Sequence, residues 1–135
     1  MTVSREFLRF LAVGAAGFAI DGGLVVALVA QHIDPLLARC FSFPSAVIAT
    51  WWLNRIWTFA AAEKAPVGRQ ITAYLLVQLV GALTNLMVYA AILKVIAPTP
   101  LNAFGAFALG SLAGLFVNFA GSRRFAFAAA NRAID

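Results

Sequence analysis

Charged residues are scarce in this sequence: they make up 11% of its 135 residues, whereas 63% are hydrophobic. A soluble globular domain has roughly 25% charged residues. A chain so poor in charge does not have water as its main solvent. The deficit indicates a membrane protein, and it leaves no segment for a separate soluble domain.

Cysteine and histidine occur once each, as Cys40 and His32. One cysteine excludes a disulfide within the chain, and these two residues alone cannot form a closed metal site. No phosphate-binding glycine loop ending in Lys-Ser or Lys-Thr is present. No serine, cysteine or carboxylate pair makes a catalytic constellation. We therefore expect neither a cofactor nor an enzyme.

Long apolar segments dominate the sequence instead. Three uncharged runs contain 15, 24 and 28 residues: Cys40–Asn54, Gln70–Leu93 and Val95–Ser122. A fourth segment, Phe7–Ala30, is interrupted only by Arg9 and Asp21. It is too long for the apolar part of a cleaved signal, which has about 7–15 residues. Because a spanning helix needs ~20 mostly apolar residues, the chain predicts an all-α membrane protein with four transmembrane helices.

The predicted helices begin and end at recognisable signals. Helix one covers about Phe7–Ala30, and helix two begins after Asp34-Pro35 and ends near Phe59. Helix three covers about Gln70–Val95, and helix four follows Pro98-Thr99-Pro100. Proline is accepted in the first turn of a helix, where its missing N–H has no partner to lose.

The basic residues are unevenly placed along the chain. Eight belong to the N-terminal tail, the middle connection or the C-terminal tail: Arg5, Arg9, Arg55, Lys64, Arg69, Arg123, Arg124 and Arg132. Only Arg39 and Lys94 belong to the opposite face of a four-span protein. This positive-inside bias predicts cytoplasmic N and C termini. The same basic groups can meet anionic membrane lipid, so we expect no nucleic-acid partner.

A faint internal repeat relates the two halves, about residues 7–59 and 70–127, within a single domain. A step of 64 aligns helix one with helix three, and a step of 68 aligns helix two with helix four. Polar and small positions coincide: Gly14 with Gln78, Gly17 with Gly81, Asp21 with Asn85, Thr50 with Asn118, and Asn54 with Ser122. Hairpins that repeat after two spans keep the same orientation, so the repeats are parallel.

Asp21 is the most informative single residue. It lies 14 residues after Phe7, roughly 21 Å along a ~30 Å apolar core. A carboxylate at that depth costs at least ~2.5–3.5 kcal/mol, so it should face the bundle. The candidate partners are Asn85, Ser42, Ser45 and Arg39. The functional interpretation is a headgroup or proton site, and the structural one is a hydrogen-bonded clamp between helices.

Arginine and aromatic residues recur at the ends of helices two and four. Arg55 aligns with Arg123, Trp57 with Phe125, and Phe59 with Phe127. Guanidinium groups are suited to bidentate binding of phosphate, which predicts a lipid-phosphate site at Arg55 and Arg123–Arg124. The alternative is a belt of interfacial arginine and aromatic side chains that binds no specific ligand.

Three segments together resemble the GtrA-like family: Phe7-Leu8-Arg9-Phe10-Leu11-Ala12-Val13-Gly14, Asn54-Arg55-Ile56-Trp57-Thr58-Phe59, and Asn118 through Phe127. The resemblance implies a small four-helix protein of the bacterial inner membrane. It implies a flippase for polyprenyl-phosphate-linked sugars, such as undecaprenyl-phosphate glucose, in cell-surface polysaccharide synthesis. It points to Asn54, Arg55, Trp57 and Phe59 in the first half, and to Asn118, Arg123, Phe125 and Phe127 in the second. Ser122 stands where asparagine is expected.

A mechanism follows as a hypothesis. The lipid phosphate docks at Arg55 and Arg123–Arg124, while the sugar enters an intramembrane polar groove. The candidate groove residues are Asp21, Thr50, Gln78, Asn85 and Asn118. A four-helix wall is thin, so we expect a homodimer, with Gly110 and Gly114 as candidate contact residues.

Two other functions stay open. The chain could be a membrane anchor that recruits a glycosyltransferase without transporting anything. It could also be a small exporter of hydrophobic cations that uses Asp21 as its membrane-embedded acid.

Overall fold

The computed structural model describes residues 3–62, 65–97 and 99–128. Lys64, Pro98 and Arg132, which entered the predictions above, lie outside these ranges. The described residues form four long helices and contain no β-strand: α1 (Val3–Ala30), α2 (Pro35–Leu53), α3 (Val67–Val95) and α4 (Pro100–Gly121). A π-helical turn continues α2 over Asn54–Thr58 and α4 over Ser122–Ala126. The predicted all-α class with four helices is confirmed.

The described residues contain four candidate membrane spans: Val3–Ala30, Pro35–Thr58, Val67–Val95 and Pro100–Ala126. The second and the fourth span each include a π-helical turn. Large apolar side chains cover their surfaces; Phe18, for example, is 82% exposed. A soluble monomer rarely exposes such continuous apolar area. The chain is therefore a multi-pass membrane protein.

Two helices begin earlier than their apolar segments. α1 starts at Val3 instead of Phe7, and α3 starts at Val67, directly after Pro66, instead of Gln70. Hydrophobicity marks the part of a helix that suits lipid, but backbone hydrogen bonds continue beyond it into polar residues. Proline stops the helix of α3 from starting earlier because it restricts the residue before it.

The chain divides into two compact units, Met1–Ala62 and Glu63–Asp135. The first unit is the α1–α2 hairpin with its π-helical turn, and the second is the α3–α4 hairpin with its own. The division falls between the two predicted repeats.

The turn of the first hairpin is well capped. His32 has a φ of 62°, and the N–H groups of His32 and Ile33 donate to the carbonyls of Val29 and Leu28 at 2.9 and 3.2 Å. This pattern is a Schellman motif, which satisfies carbonyls at the end of α1. Asp34 then accepts from the N–H groups of the first turn of α2, with Pro35 in that turn. The sequence signal for this start is confirmed.

In the second unit, Thr99 caps α4. Its side-chain oxygen accepts from the N–H of Asn102 at 3.3 Å, and the Asn102 amide donates to the carbonyl of Ala97 at 2.8 Å. These bonds tie the inter-helix connection to the first turn of α4.

Candidate functional site

The first unit ends in a π-helical turn that buries one aromatic ring. The N–H of Phe59 donates to the carbonyl of Asn54, five residues earlier, at 2.8 Å. Phe59 is buried and its ring centroid lies 6.3 Å from that of Phe10 on α1. Single π-helical turns are frequent at functional sites because they change the direction of the side chains that follow.

The second unit has the same turn at the equivalent place. The N–H of Phe127 donates to the carbonyl of Ser122 at 2.8 Å, and the buried Phe127 ring lies 6.0 Å from Tyr74 on α3. Tyr74 follows Phe10 by 64 residues and Phe127 follows Phe59 by 68. The two units therefore make equivalent contacts at the register that the sequence repeat predicts.

In the first unit, the predicted phosphate-site residues occupy different depths. The Arg55 guanidinium lies 5.7 Å from the centroid of the Trp51 ring, and Trp57 is 44% exposed. Asn54 is only 1% exposed and lies beneath the turn. Trp57 is thus at the surface of the turn and Arg55 is half-buried, whereas Asn54 is part of the interior.

In the second unit, both predicted arginines are exposed. The guanidinium of Arg124 lies 5.9 Å from the centroid of Phe125, which is 66% exposed. A guanidinium over an aromatic face is a cation–π contact. In the second unit that contact is made to an exposed ring of the turn itself, whereas in the first unit Arg55 contacts the buried Trp51 of α2.

Arg9 is a component of the first turn that the sequence did not identify. Its Nη1 donates to the carbonyl of Trp57 at 2.9 Å, and the guanidinium lies 5.4 Å from the centroid of the Trp57 ring. Carbonyls at a helix end have no partner within the helix and favour a cation. The sequence signal for this role was the charge itself, because Arg9 interrupts the otherwise apolar start of the segment Phe7–Ala30. The equivalent position in the second unit is Ala73.

Asp21 is bound by two donors from α2 of its own unit. Arg39 Nη1 donates to Oδ2 at 2.5 Å, and Ser42 Oγ donates to Oδ1 at 2.6 Å. Of the four partners predicted for Asp21, the structure thus confirms Arg39 and Ser42. Ser45 instead donates to the carbonyl of Phe41, and Asn85 is a residue of the second unit.

Two of the predicted groove residues are packed on glycine. Thr50 is 9% exposed, its methyl group fills the space above Gly17, and its hydroxyl donates to the carbonyl of Val47 at 3.0 Å. Asn118 fills the equivalent space above Gly81. These positions repeat in both units, so Thr50 and Asn118 first of all set the close approach of their helices.

The other two groove candidates lie on α3. Asn85 donates from Nδ2 to Ser111 Oγ at 3.4 Å, and it lines a shallow pocket of about 230 Å³ with Ala82, Leu86, Tyr89 and Phe107. Gln78 is half-buried. Of the predicted groove residues, Asp21 and Thr50 belong to the first unit, and Gln78, Asn85 and Asn118 belong to the second.

The glycines predicted as dimer contacts serve the second hairpin instead. A Cβ at Gly110 would lie 2.6 Å from the carbonyl oxygen of Asn85, and one at Gly114 would lie 2.7 Å from that of Gly81. Both glycines are buried against α3. The prediction of a dimer contact through these glycines is wrong, because both are buried where α4 packs against α3. The homodimer stays a prediction without them.

Several buried polar atoms lie at the π-helical turns. Thr58 and Ser122 are 0% exposed, and their hydroxyl oxygens have no hydrogen-bond partner among the described residues. The same holds for the buried Trp51 Nε1 and Asn118 Oδ1. Within residues 3–62, 65–97 and 99–128, no group of three His, Cys, Asp or Glu side chains could hold a metal ion.

One known protein family matches nearly the whole of the chain. The family described as "GtrA/DPMS, transmembrane domain" matches residues 9–127, a range that includes both hairpins and both π-helical turns. A relative in Bacillus subtilis (strain 168), described as "Uncharacterized membrane protein YngA", is 32% identical over 82 residues. That match covers 60% of this chain and 55% of the relative, so the chain spans about half of the relative's length. Because the family match extends over both repeats, the chain belongs to the GtrA/DPMS transmembrane domain family.

Proposed function

We propose that this protein moves a polyprenyl-phosphate-linked sugar from the cytoplasmic to the periplasmic leaflet of a bacterial inner membrane, for cell-surface polysaccharide synthesis or modification. The termini and both π-helical turns lie on the cytoplasmic side in this proposal. The observation that carries it is the recurrence of arginine and an exposed aromatic ring in both units, Arg55 with Trp57 and Arg123 with Phe125, on a turn anchored by a buried phenylalanine.

Physical chemistry supports phosphate as the group that these turns bind. Arg55 and Arg124 lie within 6 Å of an aromatic ring centroid, a contact that holds the planar guanidinium against the ring. The N–H donors of a guanidinium match the oxygens of a phosphate. The adjacent exposed rings of Trp57 and Phe125 are apolar enough for the first isoprene units and flat enough for a sugar face.

The translocation step needs polar groups within the membrane, because a sugar phosphate loses hydration there. Each hairpin offers some: the Asp21 cluster in the first unit, and Asn85 with Ser111 in the second. We propose that the headgroup exchanges water for these groups as it crosses, while the polyprenyl chain stays in lipid.

The cation exporter is the weaker alternative. The Asp21 carboxylate accepts from Arg39 and Ser42, so a hydrophobic cation would have to displace an internal guanidinium. A glycosyltransferase anchor would need the arginine turns for association only. The two functions differ in whether the purified protein alone moves lipid between leaflets.

The test is leaflet-resolved transport in proteoliposomes. Vesicles contain the purified protein and a polyprenyl-phosphate sugar with a fluorescent label that dithionite bleaches only from the outer leaflet. Vesicles with protein should lose nearly all fluorescence, and vesicles without it about half. Label in the outer leaflet is bleached at once, and label from the inner leaflet is bleached in a second phase, after the protein has moved it outward. Arg55→Gln and the double variant Arg123→Gln/Arg124→Gln should slow this second phase at least tenfold.

Arg5→Gln is the matched control, because Arg5 is exposed on the first turn of α1 and lies outside both π-helical turns. Its rate should equal that of the parent protein. Full transport by the Arg55 and Arg123/Arg124 variants would refute phosphate docking. Complete absence of transport by the parent protein, with binding of a glycosyltransferase that depends on the same arginines, would favour the anchor.

A further inference from the structure

Arg39 and Ser42 present two hydrogen-bond donors to one anion. They lie three residues apart on α2, and both donate to the Asp21 carboxylate, one to each oxygen. A guanidinium pairs with carboxylate and phosphate in the same bidentate geometry, and a hydroxyl group donates to either. The donor pair on α2 is therefore an anion site whose present occupant is a side chain of α1.

Arg39 is the member of the donor pair that can be reached from outside the hairpin. The Arg39 side chain is 51% exposed and that of Asp21 is 19% exposed, whereas Ser42 is 0% exposed while the Asp21 carboxylate occupies the site. Donors and acceptor belong to different helices, so a change in the Asp21 rotamer removes the carboxylate without moving the donors. An incoming anion could then take its place on Arg39 and Ser42.

The second unit argues against a purely structural role for the ion pair. Its equivalent positions are Asn85 for Asp21, Phe107 for Arg39 and Gly110 for Ser42. That hairpin crosses closely without any charge, with Asn85 packed on Gly110. Helix packing at this place therefore needs no acid and no cation, and the first unit carries both.

The position of Arg39 on α2 supplies the second argument. Arg55, on the π-helical turn, follows Arg39 by 16 residues, which is roughly 24 Å along the helix axis. The apolar core of a bilayer is ~30 Å thick. One helix of the first unit thus carries a guanidinium near each end of its span.

We propose that Arg39 and Ser42 bind the phosphate of a membrane-lipid headgroup in the leaflet opposite to Arg55, and that the Asp21 carboxylate competes for the same donors. The competitor lowers the affinity of this site and returns the headgroup to the lipid. This inference rests on the proposed function, because it identifies the site at which transport ends.

The chain allows the two ends of the span to be observed separately. Its only cysteine, Cys40, is exposed and adjacent to Arg39, so a trifluoromethyl label on its sulfur reports on that end by fluorine NMR. All three tryptophans, Trp51, Trp52 and Trp57, lie at the other end, and their fluorescence reports on Arg55. The labelled protein in detergent is titrated with farnesyl phosphate, with farnesol and with inorganic phosphate.

Farnesyl phosphate should shift the Cys40 label in the parent protein at high concentration only. In Asp21→Asn the midpoint of that shift should be at least fivefold lower, because the competitor is neutral. Adding Arg39→Gln to Asp21→Asn should remove the gain, and Arg39→Lys should retain part of it, since the charge stays and the bidentate geometry is lost. We expect Asp21→Asn to fold, because the second hairpin has an asparagine, Asn85, at the equivalent position.

Lys94→Gln is the matched control, because Lys94 is an exposed cation in the last turn of α3 and belongs to the second unit. It should leave the midpoint unchanged. Equal midpoints in the parent protein and Asp21→Asn would overturn the competition. Equal responses to farnesol would overturn phosphate recognition, and saturation by inorganic phosphate at the same concentration would overturn the lipid as its source.

The two reporters separate this inference from the proposed function. In Asp21→Asn, a tryptophan response to farnesyl phosphate without a Cys40 response would overturn the Arg39 site and leave docking at Arg55 intact. A Cys40 response without a tryptophan response would overturn docking at Arg55 and leave the Arg39 site standing.

Discussion

The side-chain amide of Asn118 lies over Gly81, in the space that a Cβ at position 81 would occupy. The methyl group of Thr50 lies over Gly17 in the same way. Small residues let membrane helices approach closely, and the close contact replaces the hydrophobic driving force that lipid removes. Each contact therefore holds together the two helices of its own hairpin, and the two contacts lie at equivalent positions in the repeat.

Gly81→Ala should destabilise the second hairpin. The added methyl group overlaps the Asn118 amide, and overpacking of this kind costs about 1–3 kcal/mol. Thermal unfolding of the purified protein in detergent should show a lower midpoint. Gly14→Ala is the control, because a Cβ there meets nothing within 4 Å, and it should leave the midpoint unchanged or raise it. Equal midpoints for Gly81→Ala and the parent protein would show that α3 and α4 separate easily.

Arg9→Gln should loosen the first π-helical turn. The substitution removes the charged donor to the Trp57 carbonyl and the guanidinium above the Trp57 ring. We expect a loss of about 1 kcal/mol in stability, since the bond is partly exposed to solvent. The emission of the tryptophans should also shift. Arg5→Gln, one turn earlier on α1, serves as the control; if both variants behave alike, Arg9 does not cap the turn.

Thr58→Val should be neutral or stabilising, although it removes a polar group. The Thr58 hydroxyl is fully buried and has no partner among the described residues. An unpaired buried hydroxyl costs about 1–3 kcal/mol, and valine has nearly the same shape. Ser122→Ala tests the equivalent position in the second unit. A fall of the unfolding midpoint in both variants would mean that the hydroxyls are hydrogen-bonded in the folded protein.

His32→Gly should stabilise the turn of the first hairpin. His32 has a φ of 62°, a conformation that costs a side chain about 1 kcal/mol and costs glycine little. The gain appears as a higher unfolding midpoint. Gln31→Gly tests the specificity of the effect, because Gln31 has no positive φ and glycine there should only add backbone freedom. A lower midpoint for His32→Gly would indicate that the imidazole contributes a contact worth more than the relieved strain.

Much of the fold was predictable because a membrane helix is indicated by local features of the sequence, namely a long apolar run and the residues at its ends. Asp34-Pro35 predicted the start of α2, and the apolar runs predicted four helices. The steps of 64 and 68 also related residues that make equivalent contacts, such as Phe10 with Phe59 and Tyr74 with Phe127. The lipid-phosphate site stays a prediction: Asn54, Arg55 and Trp57 lie on the same turn, and the side chain of Asn54 is buried.

The sequence by itself determined the solvent of this protein, the number of its helices and the register of its repeat, because hydrophobicity and residue spacing are properties of the chain. The tertiary structure decided which polar groups are paired and which way they point. Arg9 reached the Trp57 carbonyl, and Thr50 turned onto Gly17, because the rotation of a helix about its axis depends on its neighbour. The π-helical turns also needed the packed hairpin, since a single hydrogen bond across five residues leaves no distinct pattern in the sequence.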